Sequence, residues 1–277
     1  YDIAINYGEW MPPEFVAREV QASRKYNWVH GDLDKVEYLD PKVFFAWDSY
    51  YDGYIFVSKA SMNDSCKAVP FLKGRCFVIH NMCDEDEIRT LAREPVEIPG
   101  LDGKHLLVTV ANFRRQKNHL RQVEAMRILK NRGYNILWLN IGGNVDFKLM
   151  AKLKRKIREY GLDDSFILMK SNSNPYKYMA RADAVPVLSD WESWSLVITE
   201  AKILGVPVIA TPTSGALEQI RHGENGLIVE PDAEKIADAI GNYLDDIALK
   251  ARLRKNLAGF SQAKQTLHQW TQLVGGK

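Results

Sequence analysis

The chain has 277 residues, of which 46% are hydrophobic and 26% are charged. This composition excludes a mainly disordered chain and supplies enough apolar side chains for two domains of about 150 residues each. The 37 Lys and Arg residues against 35 Asp and Glu residues leave a net charge of only +2, so no overall basic field favours nucleic-acid binding. No apolar run approaches the roughly 20 residues that a membrane-spanning helix needs.

Short runs of β-branched or aromatic residues alternate with amphipathic stretches, a rhythm that predicts βα units and parallel sheets. The first strands are predicted at residues 1–6, 27–30, 53–58 and 76–80. A second set is predicted at residues 106–110, 136–141, 165–169, 184–188 and 206–211. Helices are predicted at residues 14–24, 119–131, 147–160, 196–204 and 233–244. Gly133, Gly161 and Gly205 follow three of these helices, where a C-terminal cap belongs.

One predicted helix, at residues 147–160, is strongly basic. Its apolar stripe contains Leu149, Leu153 and Ile157, which recur at helical spacing. Its basic side chains are Lys148, Lys152, Lys154, Arg155, Lys156 and Arg158. We interpret them as a solvated face over a packed stripe, and peripheral contact with a membrane surface or an acidic partner is the alternative.

The segment at residues 190–226, DWESWSLVITEAKILGVPVIATPTSGALEQIRHGENG, carries the most chemical information. Glu200 falls in the first turns of the predicted helix, and Glu192 lies in the loop before it. Amides at this helix start, from Trp194 to Leu196, form an electropositive seat for an anion such as phosphate. Flanking carboxylates accept hydrogen bonds from sugar hydroxyls. From the residues alone, acids that merely offset the helix dipole are an equal alternative.

A second segment, residues 108–120, contains a basic loop between a strand and a helix. Arg114, Arg115 and Lys117 cluster in this loop, and we expect Asn118 to cap the helix. Cations at the carboxyl end of a parallel strand suit a diphosphate, and a solvated basic loop is the alternative. No GxxxxGK[ST] or GxGxxG motif is present, and the glycines at residues 141–144 form only a turn after a strand.

Glu192 and Glu200 stand in an E-x7-E spacing, and the sequence continues with EA, GVPVIAT, SG, EQI and GENGL at residues 200–201, 205–211, 214–215, 218–220 and 223–227. Residues 108–117 supply a basic loop, and DGYIFVS and VIHN stand at residues 52–58 and 78–81. The chain thus resembles glycosyltransferase family 4, whose members are retaining enzymes of the GT-B fold with the glycosyltransferases group 1 signature. The resemblance covers nearly the whole chain and is specific between residues 190 and 226.

The resemblance implies an α/β fold of GT-B type, with two Rossmann-like domains and parallel sheets. Residues 1–93 are expected to be the C-terminal half of the N-terminal, acceptor-side domain, so that this domain is truncated. Residues 94–104, in a stretch rich in Pro, Gly and acids, are the expected linker. Residues 105–255 are expected to bind a nucleotide-sugar donor, and residues 256–277 to form a C-terminal helix that crosses back.

The resemblance also implies roles for the two acids and the basic loop. Glu192 matches the first acid, near the donor sugar, and Glu200 matches the second, which holds ribose hydroxyls. Lys117 matches the lysine that binds the diphosphate. Asn112 stands where the family often has Arg, so Arg114 or Arg115 is expected to supply that charge.

Further donor contacts are expected from two other loops. Ser193, Trp194 and Ser195 replace the family's Gly-aromatic-Gly, with Leu196 next at the helix start. Ser214 and Gly215 are expected to complete the donor wall. His30 matches the N-domain histidine that faces the donor sugar, although a histidine at a strand end is by itself usually structural.

These assignments predict a hexosyltransferase-type enzyme that moves a sugar from a nucleotide-sugar, UDP first and GDP next, to a hydroxyl acceptor with retention. The acceptor is expected to be a saccharide or a lipid-linked molecule in glycan, polysaccharide or glycolipid biosynthesis. No cofactor or metal is expected, since only Asp32 and Asp34 form a weak DxD-like pair and Arg114 and Lys117 neutralise the leaving diphosphate. A sugar-nucleotide epimerase or phosphorylase on the same fold, or an inactive donor-binding module, are the alternatives. Three scattered cysteines without a CxxC pair favour a reduced, cytoplasmic protein, with the inner face of the membrane as a second location.

Overall fold

The computed structural model of the chain describes residues 1–31, 33, 41–143 and 145–275. Contacts divide the chain into two units. Unit 1 comprises Tyr1–Met82, Glu192–Trp194 and Gln262–Lys277, and unit 2 comprises Cys83–Trp191 and Ser195–Ser261.

Strands and helices alternate along most of the chain. The strands are β1 (Ile3–Asn6), β2 (Arg24–Val29), β3 (Gly53–Phe56), β4 (Cys76–Val78), β5 (His105–Val110), β6 (Ile136–Gly142), β7 (Phe166–Lys170), β8 (Val185–Val187), β9 (Val208–Ala210) and β10 (Gly226–Ile228). The helices are α1 (Pro13–Glu19), α2 (Pro41–Phe45), α3 (Lys59–Ala68), α4 (Glu85–Ala92), α5 (His119–Asn131), α6 (Phe147–Glu159), α7 (Tyr176–Met179), α8 (Leu196–Ile203), α9 (Ser214–Gln219), α10 (Ala233–Asp245), α11 (Ile247–Leu257) and α12 (Ala263–Gly275). The predicted strands are confirmed within a few residues at their ends.

The described strands of unit 1 form a parallel sheet in the order β1-β2-β3-β4. Trp28 and Ile55 belong to one buried apolar cluster, and Tyr54 and Phe56 belong to another. The backbone amide of His80, just after β4, donates to Gln269 Oε1 of α12 at 2.9 Å. The last helix is therefore part of unit 1.

The sheet of unit 2 consists of two parallel ladders that meet between β5 and β8. The amide of Val108 donates to the Ala184 carbonyl at 3.3 Å, and the amide of Asp183 donates to the Leu106 carbonyl at 2.8 Å. In the described residues the strand order is therefore β10-β9-β8-β5-β6-β7. Counted from β5, this is the 3-2-1-4-5-6 order of a doubly wound sheet, in which ligands bind outside the carboxyl ends of the strands at the reversal point. The order directs attention to the loops after β5 and β8.

Both faces of this sheet are covered, which explains why its strands read as continuous apolar runs. Leu107 and Trp138 contribute to a cluster on one side, with side chains from α5, α6 and α10. Leu106 and Leu139 contribute to a second cluster, with side chains from α8 and α9. The positive φ angles of Gly133, Gly161 and Gly205, 86°, 62° and 69°, confirm them as C-terminal caps.

Two boundaries differ from the sequence expectation. The predicted helix at residues 14–24 is too long, because α1 ends at Glu19, Val20 is extended and Arg24 already pairs with Ile3 in the sheet. The units divide after Met82, whereas the predicted domain boundary lies after Arg93. Helix α4 groups with unit 2, where Arg89 donates to the Phe260 carbonyl at 2.8 Å.

Candidate functional site

The basic loop lies at the carboxyl end of β5, as predicted. Arg115–Lys117 form a 3₁₀ turn directly after Arg114, and the side chains of Arg114 and Arg115 are exposed. The turn ends at Asn118, whose φ of 49° lies in the left-handed region, and α5 begins at the next residue. This turn presents its cations at the edge where the strand order predicts a ligand.

The expected cap of α5 by the Asn118 side chain is wrong. Asn118 occupies the N-cap position without a side-chain cap, and its Nδ2 lies 2.8 and 2.9 Å from the two carboxylate oxygens of Asp190. The carboxamide donates to the carboxylate because a hydrogen bond to an ionised acceptor is stronger than one to a neutral partner.

Other contacts join the basic turn to the loop after β8. Gln116 Nε2 donates to the Trp191 carbonyl at 2.6 Å, and the Asp190 amide donates to the Gln116 carbonyl at 2.9 Å. Arg121 Nη2 donates to Asp190 Oδ1 at 2.8 Å. The sequence analysis did not assign a role to Gln116, Asp190 or Arg121. The signal was Asp190, two residues after a predicted strand, but its partners are 69 or more residues away.

Gly142, the last residue of β6, and Gly143 allow the basic loop to approach this strand. A Cβ atom on Gly142 would lie 1.9 Å from the Ala111 carbonyl oxygen. The Phe113 amide donates to the Gly143 carbonyl at 3.0 Å, and the Asp146 amide donates to the Phe113 carbonyl at 3.1 Å. Gly142 and Gly143 were predicted only as a turn. In the structure they form a close backbone contact that supports the basic loop.

Helix α8 begins at the carboxyl end of β8. Ser195 occupies the N-cap position, and its side chain makes no capping hydrogen bond. The first-turn amides and the helix dipole therefore favour an anion at this end. Leu196, the first residue of the helix, is 40% exposed.

Glu200 lies on the second turn of α8 and is partly buried. Burial raises the pKa of its carboxyl group, and a hydrogen bond from the Tyr176 hydroxyl, at 3.2 Å, opposes that rise. Burial, together with the nearby Glu200 and Glu85 carboxylates, raises the pKa of the Cys83 thiol to about 12. Glu200 forms no ion pair with any residue in the described part of the chain. Its oxygens therefore retain acceptor capacity for hydroxyl groups.

The sequence missed Tyr176. It lies on α7, 24 positions before Glu200, and no local pattern connects the two residues. A tyrosine after a predicted strand was the only available signal.

The loop after β9 adds the third group of predicted donor residues. Thr213 Oγ1 accepts a hydrogen bond from the Ala216 amide at 3.3 Å and caps α9, whose first residues are Ser214 and Gly215. Because β5, β8 and β9 are neighbours in the sheet, the basic turn, the start of α8 and the start of α9 follow three adjacent strands at the same edge.

In unit 1, His30 lies directly after β2 within a group of aromatic rings. Its ring stacks on Trp28 at 5.4 Å between centroids, with Tyr7 and Trp10 at 5.0 and 5.2 Å. The Glu9 carboxylate accepts hydrogen bonds from the His30 and Gly31 amides at 2.9 and 3.0 Å. Burial lowers the pKa of His30, and the Glu9 charge opposes that change. Burial thus favours the neutral form of the His30 imidazole.

Glu192, Ser193 and Trp194 group with unit 1 rather than with the start of α8. The Trp194 ring stacks on His80, with centroids 4.0 Å apart and an interplanar angle of 13°. The roles predicted for Glu192, Ser193 and Trp194 stay predictions. Asp32, Asp34 and Asn144 lie outside the described residues.

A known family model matches most of unit 2. The model of the family described as "Glycosyl transferases group 1" matches residues 93–259, more than half of the chain.

The chain belongs to the glycosyl transferases group 1 family.

Curated relatives of this group 1 chain are glycosyltransferases of several kinds. A Campylobacter jejuni N-acetylgalactosaminyltransferase that acts on a diphospho-undecaprenol-linked sugar is 29% identical over 70% of this chain and 51% of its own length. The human α-1,3/1,6-mannosyltransferase ALG2 is 28% identical over 58% of this chain and 41% of its own length. The chain thus spans about half the length, or less, of these relatives.

Solved structures confirm the predicted α/β fold of GT-B type. A glycosyltransferase from Rickettsia africae superposes with a TM-score of 0.79 at 18% identity, over 100% of this chain and 78% of that one. Anabaena Alr3699/HepE in complex with UDP and glucose gives a TM-score of 0.78 at 19% identity, over 92% of this chain and 72% of that one. Among the described helices of the group 1 chain, none has both the length and the apolar character to span a membrane.

Proposed function

We propose that this group 1 chain works as a retaining glycosyltransferase of family 4, which moves a hexose from a UDP-sugar to a hydroxyl acceptor. One observation carries the proposal: Glu200, a partly buried carboxylate without a countercharge among the described residues, lies on α8, which follows the strand-order reversal of unit 2 and whose N-cap side chain makes no capping hydrogen bond. Neither feature stabilises the fold, and together they suit a ligand that has both hydroxyl and phosphate groups.

The ribose hydroxyls of the donor would donate to Glu200. The Tyr176 hydroxyl already occupies one acceptor position at 3.2 Å, which holds the carboxylate in one orientation. A partly buried acceptor prepared in this way disfavours ligands without hydroxyls, because such a ligand would cover the carboxylate and leave it unsatisfied.

The diphosphate would lie between the start of α8 and the basic turn. The turn is fixed to the loop after β8 through Gln116 and Asp190. Arg114, Arg115 and Lys117 would neutralise the charge that develops on the leaving diphosphate, so we propose that the transfer needs no metal ion. Ser195, Ser214 and Gly215 would complete this wall.

In unit 1, we assign His30 and Glu192 to the transferred sugar. A neutral His30 can accept or donate one hydrogen bond, and Glu9 fixes the backbone that carries it. The Glu192 carboxylate would accept sugar hydroxyls. Retention would follow from attack on the same face that the diphosphate leaves.

Two comparisons support the choice of donor and acceptor. UDP and glucose are bound in the similar Anabaena structure, and the C. jejuni relative is named for a lipid-diphosphate-linked acceptor. We therefore propose UDP as the nucleotide and a saccharide or lipid-linked saccharide as the acceptor, in the synthesis of a glycan, polysaccharide or glycolipid.

Isothermal calorimetry with UDP-, GDP- and ADP-sugars tests the donor, and Glu200→Gln tests the site. Hydrogen bonds to a charged group contribute about 1.5–3 kcal/mol, so the variant should bind UDP about 10- to 100-fold more weakly. Glu159→Gln, which changes an exposed acid at the end of α6, is the matched control and should bind like the parent. Parental UDP affinity in Glu200→Gln would refute the site.

A further inference from the structure

The exposed side of α6, in unit 2, combines positive charge with an exposed aromatic ring and lies outside the proposed donor contacts. Leu149, Leu153 and Ile157 are buried, so the apolar stripe of α6 belongs to the protein core. Residues three or four positions apart share a helix face, so the remaining side chains form rows on the outer side. The exposed basic members, which we call the α6 basic face, are Lys148, Lys152, Lys154, Arg155 and Arg158.

Little of this charge is used within the described structure. Arg155 pairs with the exposed Glu159 at 3.4 Å. Lys156, which is outside the face, is held by Glu124 at 2.6 Å. Lys148, Lys152 and Lys154 form no ion pair with any described carboxylate. Their charge is therefore not neutralised within the described structure.

A cavity of about 450 Å³ opens at the N-terminal end of the face. Its cationic lining comes from Lys148 and Lys152 on α6 and, on the side of the basic turn, from Arg115, which is also among the proposed donor contacts. Two carboxylates also line it, but each has a partner: Asp146 accepts from the Lys148 and Leu149 amides, and Asp190 accepts from Asn118 and Arg121. The cavity thus offers space and unpaired positive charge to an anionic head group.

Apolar side chains stand beside the cations. Phe147, the first residue of α6, is 85% exposed, and Val145 is 38% exposed. An aqueous polyanion such as a nucleic acid matches the lysines but leaves the Val145 and Phe147 side chains in water. A bilayer with anionic lipids matches both features, because phosphates meet the cations while apolar tips enter the interface.

We propose that the α6 basic face, with Phe147 and Val145, is a docking surface for an anionic phospholipid bilayer, and that the cavity beside Lys148 and Lys152 receives a lipid head-group phosphate. This surface goes beyond the proposed transfer reaction and does not depend on it. The proposal takes up the membrane contact that the sequence analysis gave as the alternative to a solvated face.

Cosedimentation of the full 277-residue chain with phosphatidylglycerol/phosphatidylcholine vesicles tests the proposal. Each basic side chain near an anionic surface contributes about fivefold to binding, so Lys148→Gln/Lys152→Gln should bind about 25-fold more weakly. Phe147→Ser should lower binding about tenfold, since its ring no longer leaves water. Binding should also collapse when salt rises from about 0.1 M to about 1 M.

The matched control is Lys235→Gln/Lys255→Gln, which removes the same charge from exposed positions on α10 and α11. It should bind vesicles like the parent. UDP calorimetry on all variants separates the two proposals, because vesicle binding can be lost while UDP binding stays intact. Circular dichroism confirms that each variant is folded.

The proposal is overturned by any of four results. The parent chain fails to bind phosphatidylglycerol vesicles at low salt, or it binds pure phosphatidylcholine vesicles equally well. The control variant loses as much binding as the α6 variant. Soluble heparin competes fully and Phe147→Ser changes nothing, which would assign the face to an acidic macromolecule instead.

Discussion

Replacing Gly142 by alanine tests the close approach of β6 to the residue that follows β5. The new Cβ would lie 1.9 Å from the Ala111 carbonyl oxygen and 2.9 Å from its carbonyl carbon. Both are backbone atoms and cannot rotate away. The Ala111 amide donates to the Ile141 carbonyl at 3.0 Å, so relief of the clash requires the end of the β5–β6 ladder to open.

The expected cost combines steric strain with a lost hydrogen bond. Overpacking in a closely packed interior costs about 1–3 kcal/mol, and the ladder bond adds about 1 kcal/mol. At about 2–4 °C per kcal/mol for a chain of this size, Gly142→Ala should lower the melting temperature by about 5–15 °C. Thermal unfolding followed by circular dichroism measures this change.

The same substitution should weaken donor binding, because Ala111 leads directly into the basic turn. A displacement of about 1 Å at a binding group can cost a hundredfold in activity, so we expect UDP affinity to fall at least about tenfold. Gly143→Ala is the matched control, since its Cβ would come no closer than 3.2 Å, to the Ser171 side chain. The reasoning is refuted if Gly142→Ala melts like the parent, or if both variants lose stability and UDP affinity equally.

Three further changes test buried titratable groups. Tyr176→Phe removes the hydrogen bond that opposes the raised pKa of Glu200, so this pKa should rise further. In calorimetry, UDP binding should then be lost at a higher pH on acidification than in the parent. The same pH dependence in variant and parent would contradict this prediction. Burial lowers the pKa of Lys202 from 10.5 to about 8, which means that the charged side chain destabilises the fold at pH 7. Lys202→Met removes this penalty but also removes a hydrogen bond and a cation–π contact. The free energy of unfolding at pH 7 should therefore rise by about 1–2 kcal/mol. In urea unfolding, the stability difference between variant and parent should shrink between pH 8 and 10.5, because Lys202 of the parent loses its charge in this range. A variant that is less stable than the parent at pH 7 would refute the prediction. Burial lowers the pKa of His30 from its usual 6.5, so this residue makes folding lose stability as pH falls below that value. His30→Gln should reduce the loss in melting curves, although His119, whose pKa burial also lowers, still contributes to it. An equally steep loss in the variant would contradict the assignment.

Much of the fold could be predicted because its signals are local. Buried parallel strands leave continuous apolar runs, and a glycine with positive φ marks the end of a helix whatever lies around it. The basic turn could be placed for the same reason, since Arg114 to Lys117 directly follow an evident strand. The start of α8 and the position of Glu200 on it are likewise local consequences of sequence.

The parts that could not be predicted depend on distant partners. The local preference of Asn118 is to cap α5, but Asp190, 72 residues away, binds its carboxamide instead. Helix α1 ends at Glu19 because the chain must become extended before Arg24, which pairs with Ile3 in the sheet. Helix propensity does not show this limit. Tyr176 and Glu200 meet only once the sheet has formed. Tertiary contacts decide each of these cases, and a single sequence does not display them.

Departures from local rules concentrate at the edge of unit 2 where β5 and β8 end. Asn118 is the one non-glycine residue with positive φ in the described chain, the N-cap residue of α8 makes no side-chain cap, and Glu200 is partly buried without a countercharge among the described residues. A fold optimised only for stability would use glycine, a capped helix and an apolar side chain at these positions. Natural chains keep such costs mainly where a ligand recovers them, because strain and unsatisfied charge elsewhere are removed by selection for stability. Their coincidence at the strand-order reversal is therefore independent support for a donor site at this edge, and it does not rest on the resemblance to known glycosyltransferases.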